Sequence, residues 1–341
     1  MSYDNLKLEK GMYRQEGMTF TQVLESMDPS ENYRGTALEK TDAFQRQLKR
    51  FGILAKGEGS SSVEKFFRTV DSAVLFPEYI ARTVRQGMEE DDILPSLTAT
   101  TTVIDSRDYR SIYSIATDDD KALKAVIEGA EIPQTEIKTK ENLVSLNKRG
   151  RMLVASYEAV RFQKLDMFSV MLRQIGAHIH KMLVADAVDV LVNGDGNGNE
   201  AVAYQVGTAP ISGKAGTLEY NQLLEFWSKF APYSMNTLLC STDTMLQLLK
   251  LPEFQNPLTG LNFQGTGKLS TPLGAKLLRT DAVASGTLIG LDNRYALELV
   301  KAGDVLVEYD KLIDRQLERA AITCIAGFGK ICDGAACVLK V

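Results

Sequence analysis

Residues 166–192 set a demand that few small folds can meet. Phe168, Leu172, Ile175, Ile179, Met182 and Leu183 recur at helical spacing and form one apolar stripe. Val170, Ala177, Val184 and Val188 form a second stripe on nearly the opposite side. With Asp166 as N-cap, the pattern predicts a single helix about 40 Å long. A helix that is apolar on two sides must be covered on two sides. It is sandwiched between layers, or it lies between its own sheet and something else.

The helix runs into "VLVNGDGNGNEAV", residues 190–202, and three readings of this glycine-rich stretch compete. Asn193, Asp195, Asn197 and Gly198 imitate the first half of a calcium loop. The first ligand, however, is an amide, and the twelfth position, where a glutamate belongs, is Tyr204. A dinucleotide cradle needs its glycines after a strand and before a helix, whereas these follow a helix. A helix C-terminus, where glycine takes the left-handed conformation at little cost, meets no such objection and is favoured. A second phosphate-loop candidate, "GTGKLS", fails in detail. Gly267-Lys268 is followed by Leu269, and Asn262 stands where the first glycine is required.

Chemistry is scarce elsewhere. The only histidines, His178 and His180, lie two apart on the long helix and point to nearly opposite sides, so they do not share a metal. Cys240, Cys324, Cys332 and Cys337 show no C-x-x-C spacing and read as free thiols. No catalytic, cofactor-binding or metal-ligating constellation stands out, which moves the expectation from enzyme to structural protein. A length of 341 residues with 44% hydrophobic and 24% charged residues fits a folded chain of two or three domains. The formal charge of −5 argues against a dedicated nucleic-acid binder. No apolar run reaches the roughly 18 residues of a membrane helix. The start, "MSYDNLKLEKG", lacks the apolar segment of a signal peptide, so secretion is not expected.

Along the chain, residues 1–55 are polar and helix-prone, and "KGEGSSS" (56–62) reads as a flexible linker. Ser61 with Glu64 predicts a capping box that opens a helix over "VEKFFRTVDSAV". The β-branched run "TATTTVI" reads as a strand. A polar excursion from about Asp105 to Val126 follows, with "DDDKALK" at 118–124, and hairpins of that length usually serve a purpose. "NLVSLNKRGRMLVAS" reads as a strand pair and "YEAVRF" as a short helix. Beyond the glycine loop come a helix over 218–231, the strand "NTLLCS" and the helix "DTMLQLLKL". Short strands "AKLLRTD", "GTLIGLD", "YALELV" and "DVLVEYD" follow, the last two as a hairpin across "KAGD". Residues 315–341 read as two closing strands around a glycine turn. The fold class is α+β.

Three segments in order carry a family resemblance: "VLFPEYIARTVRQGMEEDDILPSLTATTTV", "AVIEGAEIPQTEIKTKENLVSLNKRGRMLVASYEAV", and Asn193 to Gly196, N-G-D-G. The closing "ERAAITCIAGFGKICDGAACVLKV" adds to them. Together they resemble the major capsid protein of tailed bacteriophages, with its Hong Kong 97-like fold, over Val74 to Val341. Two departures stand out. Val126-Ile127 precede Glu128 where the family often has a tryptophan, and "NGNEAVAY" replaces the usual proline-containing pattern after G-D-G.

The resemblance implies an N-terminal arm (1–73), an arm-to-body helix (74–97) and an extended loop (98–128) that lies over a neighbouring subunit. It further implies a peripheral domain (129–200) with the spine helix 166–192, an axial domain (201–302) and C-terminal strands (303–341). Function would then be self-assembly of pentamers and hexamers, in the bacterial host cytoplasm, into an icosahedral virion shell. That shell would enclose double-stranded DNA without sequence-specific contacts, with portal, scaffolding or decoration proteins as partners and no membrane. Some family members crosslink subunits through lysine. Lys121 and Lys124 are suitably placed, although a solvated charged tip explains them more simply. The N-terminal segment is expected to be retained rather than cut. The alternatives are an encapsulin-type shell around a protein cargo and a cytosolic nucleotide-binding enzyme.

Overall fold

The computed structural model describes residues 2–15, 17–106, 108–114, 128, 137–256 and 272–341. Lys121, Lys124, the Gly129–Pro133 run and Gly267-Lys268 lie outside the described residues. In chain order the helices are α1 (Phe20–Met27), α2 (Ala43–Arg50), α3 (Val70–Glu89), α4 (Tyr157–Phe162), α5 (Leu165–Asn193), α6 (Tyr220–Trp227), α7 (Thr242–Lys250) and α8 (Pro252–Gln255). The strands are β1 (Thr98–Ile104), β2 (Ile112–Ser114), β3 (Ile137–Thr139), β4 (Asn147–Ser156), β5 (Val202–Gln205) and β6 (Thr237–Cys240). They continue with β7 (Lys276–Arg279), β8 (Thr287–Leu291), β9 (Leu297–Ala302), β10 (Leu306–Leu312), β11 (Leu317–Lys330) and β12 (Ala336–Lys340). Two compact units result. One comprises Met1–Asp91, Lys148–His180 and Asp304–Cys324; the other comprises Asp92–Asn147, Lys181–Gly303 and Ile325–Val341.

The first unit is organised on α3. Thr69, not Ser61, caps this helix, its hydroxyl accepting from the Ser72 amide at 3.0 Å. The Ser61 hydroxyl accepts from the Leu54 amide at 3.0 Å and its carbonyl from the Leu165 amide at 2.9 Å, while Glu64 sits in the 3-10 turn Val63–Phe67. The stretch read as a flexible linker is therefore tied down by its serines, whose hydroxyls and backbone compete for local partners. One flank of α3 meets α5 backbone to backbone. A Cβ on Gly87 would lie 2.2 Å from the Arg173 carbonyl oxygen, and one on Gly176 would lie 2.0 Å from that of Val84. Glycine costs each helix about 1 kcal/mol relative to alanine; the close crossing offsets it. Against the same helix lies a sheet in which β10 and β4 both pair with β11, and alternate β11 residues Ala320, Ile322 and Cys324 are buried. Phe66, Phe76, Tyr79, Phe168 and Tyr309 fill the space with rings in mutual contact.

The described residues of 2–67, part of the 1–73 expected as an arm, form a helical layer on α3. Its centre is an ion pair: Arg46 and Asp28 are fully buried, with Nε to Oδ2 at 2.7 Å. The other Arg46 nitrogens donate to the carbonyls of Thr41 and Asp28 and to the Ser30 hydroxyl, and the guanidinium lies 4.2 Å over the Tyr33 ring. Tyr33 in turn donates to Asp28 at 2.7 Å. A buried charge is tolerated only when its hydrogen-bonding capacity is met in this way. Leu8, Phe20, Val23, Leu24, Phe44 and Leu48 complete the layer's core.

The second unit holds a sheet of order β5-β12-β8-β6-β7, in which β12 runs parallel to β5 and antiparallel to β8. Phe226 and Phe230 pack on it with Met235, Leu248, Leu288 and Leu339, all buried. A separate ladder joins β1 to β9 in parallel and β9 to β11 residues Ala326–Lys330. The hairpin expected across "KAGD" does not form, because β9 and β10 each take β11 as partner. Likewise "NLVSLNKRGRMLVAS" yields one strand, β4, rather than a pair. Its first residues instead receive the excursion's root, the Val144 amide donating to the Tyr109 carbonyl at 2.9 Å.

Candidate assembly surfaces and their anchors

The double stripe of the long helix divides along its length. In the first unit, α5 buries Leu172 and Ile179, while the second-stripe residues Val170 and Ala177 are exposed. Beside them on the same helix Met167 is 60% and Met171 53% exposed, and Phe162 of α4 is 76% exposed. Alternation along β4 turns Leu153 and Ala155 toward Phe76 and Phe168, which leaves Met152 and Val154 on the solvent side. In the second unit, Leu183, Val184, Ala187, Val188 and Leu191 of α5 are all buried, so both stripes are filled there. That unit exposes its large apolar groups on other elements: Leu224 and Trp227 of α6, Leu246 of α7, and Tyr295. Scattered exposed leucines mean little, but several methionines and a phenylalanine on adjoining elements are what a contact surface uses.

The described root of the polar excursion is fixed within the second unit. Glu298 in β9 is buried and accepts from the hydroxyls of Thr102, Tyr109 and Ser111, the last two at 2.7 and 2.9 Å. Burial pushes the Tyr109 phenol upward, with the neighbouring Glu298 carboxylate adding to the shift. The short ladder of β2 with β3 continues the root, and the Lys140 amide donates to the Ser111 carbonyl at 2.9 Å. Sequence reasoning missed Glu298, since an acidic residue in a β-run gives no sign of which hydroxyls will reach it.

The glycine loop ends α5. The Gly194 amide donates to the Val190 carbonyl at 3.0 Å, and Gly194 and Gly196 have φ of 77° and 85°, a left-handed conformation suited to glycine. Asp195 is the hub. Its Oδ2 accepts from Lys140 Nζ and from the Lys330 amide, both at 2.9 Å, and its Oδ1 accepts from Asn197 at 2.8 Å. Burial alone would raise this carboxyl, but the bonds from Asn197, Lys140 and Lys330 hold it below the usual carboxylate range. Lys330 is fully buried, donates to the Asn199 carbonyl at 2.7 Å, and is shifted downward by its desolvation. A cleft of about 520 Å³ lies beside the loop, lined by Lys140, Asn142, Asn197, Tyr233 and Cys332. Both oxygens of Asp195 are taken by protein donors, so the residues that imitate calcium ligands act as a fastening. Among the described residues no three His, Cys, Asp or Glu side chains gather as a metal site. His178 is exposed and His180 buried, on different sides of α5. Burial pushes the Cys240 thiol up to about 12 and that of Cys337 to about 11, which keeps both as apolar filling. No described helix is long and apolar enough to cross a membrane.

Comparison with known proteins joins these features. The family model described as phage capsid protein matches residues 139–322, from the end of β3 into the first half of β11. No curated protein matches the sequence. The capsid of a native GTA particle superposes with a TM-score of 0.53 at 12% identity, covering 76% of this chain and 90% of that one. A Mycobacterium phage Che8 chain gives 0.51 at 11%, covering 69% and 84%. The virus-like particle of Pyrococcus furiosus gives 0.50 at 12%, covering 78% and 99%. Identities this low speak for the fold alone. With the family match spanning more than half its length, the chain belongs to the phage capsid protein family and is a structural protein of the virion with the Hong Kong 97-like fold.

Proposed function

We propose that copies of this chain assemble as pentamers and hexamers into the closed icosahedral shell of a tailed phage, within the bacterial host cytoplasm. The shell encloses double-stranded DNA without reading its sequence; the acidic balance of −5 suits a container that must release its content. Portal and scaffolding or decoration proteins are the expected partners. Residues 98–128 extend over a neighbouring subunit from the Glu298 root, 129–200 serve as the peripheral domain, and 201–302 meet their copies around the shell axes. Residues 1–73 stay with the chain in the finished shell.

The observation that carries this reading is the unfilled half of α5, where Met167, Val170 and Met171 stand exposed, as does Phe162 at the end of the preceding helix. Subunit exchange over such faces buries about 2,000 Å² or more per obligate interface. The family match weighs for a phage shell over a protein-cargo compartment, and the occupied hydrogen bonds of the glycine loop weigh against a nucleotide enzyme. Negative-stain imaging of the expressed full chain tests the proposal. Closed shells of uniform diameter are expected, and a stable monomer or dimer at high concentration would overturn it. Shells that copurify with an enzyme would transfer the reading to the cargo-compartment alternative.

A further inference from the structure

Pro77 lies inside α3, where proline removes one helical hydrogen bond and crowds the preceding turn. The next rung of the ladder would join the Val74 carbonyl to the Glu78 amide. Between those two groups stands the hydroxyl of Tyr13, which donates to Val74 at 2.8 Å and accepts from Glu78 at 3.1 Å. The Tyr13 ring is stacked on Phe20 of α1, with centroids 4.2 Å apart and planes 6° from parallel. Further bonds join the layer to the same helix on the far side of Pro77. Thr21 donates to the Glu78 carboxylate at 2.7 Å, and Arg82 donates to Asp42 at 2.6 Å and to Thr21 at 2.7 Å. A layer held only by apolar packing would have no need to place polar groups on both sides of a proline.

We propose that residues 2–67 act as a brace whose Tyr13 hydroxyl completes the α3 rung weakened by Pro77, so that docking of the layer and the course of α3 form one two-state element. Inserted side chains are among the few established causes of a change in helix direction. When the layer leaves, Val74 and Glu78 lose their shared partner, and the Val70–Phe76 end of α3 is released from the remainder. The state of the N-terminal layer is thereby transmitted to a helix at the centre of its unit.

Amide hydrogen exchange resolved at Glu78 tests it on the full-length chain, comparing wild type, Y13F, P77A and the double variant. Phenylalanine keeps the stack on Phe20 and removes only the hydroxyl. Y13F is expected to lower protection of the Glu78 amide about tenfold, with the Arg46 amide, bonded to Asp42 within the layer, unchanged within about twofold. In the P77A background, where the ladder can close by itself, Y13F should change Glu78 protection by less than about twofold. An equal loss at Glu78 in both backgrounds, no loss in either, or a parallel loss at Arg46 would each overturn the proposal. Tyr13 would then be only a packing residue.

Discussion

The two halves of α5 obey one sequence pattern and meet two fates. Val184 and Val188 are buried in the second unit, whereas Ala177 and Val170, one and two seven-residue repeats before Val184 on the same stripe, face solvent in the first. A filled stripe stabilises the fold of the chain that carries it. An open one adds nothing to that fold and exposes apolar area, so it persists only where another surface covers it. Substitution tells the two apart. Val188→Asp places an uncompensated charge in the filled half and is expected to destabilise the unassembled chain by about 4 kcal/mol or more. Denaturant unfolding followed through Trp227, the single tryptophan, reads the loss in its own unit. A small effect would mean that this half is no more essential than the open one.

The end of the filled half sharpens the comparison. Asp195→Asn leaves Lys140 and Lys330 beside a neutral amide, and breaking a buried ionic network of this kind costs about 3–5 kcal/mol. The pH dependence follows from the sign of the shift. The folded-state carboxyl lies below its ordinary value, so its contribution is complete above the usual carboxylate range and is lost as pH falls through the lowered folded value. Acid titration of Trp227 emission should therefore show an acid-side loss of stability in wild type that is diminished in the variant. An unchanged acid limb would remove Asp195 from the account.

In the open half the helix still has to hold its place, and Gly176 does this by letting α5 approach α3. Gly176→Ala is expected to cost about 1–3 kcal/mol through overpacking, although alanine is the better helix former. A thermal melt of the unassembled variant with no loss, or a gain, would show that the crossing has slack.

Legibility in the sequence followed the range of the interactions. The 3.6-residue period of α5 and the β-branched run of β1 are local signals, and the bounds of both elements match to within a residue or two. The glycine loop was legible as a helix end because glycine's left-handed preference is local as well. Pairing was not. The β9–β10 hairpin was expected because only four residues separate "YALELV" from "VLVEYD", yet β11, later in the chain, pairs with both strands. The packing of the N-terminal layer was not legible for a related reason. Its composition reads as polar and helix-prone, and nothing local shows that Arg46 and Asp28, two of its charged residues, are the centre of its core. The exposed apolar face of α5 was visible as a pattern, but which half of it stays open depends on contacts that no local signal encodes.

The smallest expected effect on stability tests the comparison most sharply. Met167→Ser with Met171→Ser removes two large apolar groups that are more than half exposed in the isolated chain. Exposed positions away from caps and networks change stability by about 0.5 kcal/mol or less, so the unassembled double variant should unfold like wild type. Its shells should fail, because an interface loses most when apolar side chains near its centre are truncated. Sedimentation of the paired samples at equal concentration measures both outcomes: wild type pelleting as large particles and the variant remaining as small oligomers. Should the variant assemble as wild type does, the open half of α5 lies outside the subunit contacts, and its apolar residues require another partner. Should it lose stability instead, the face is packed within the chain itself, and the two halves of the helix do not differ after all.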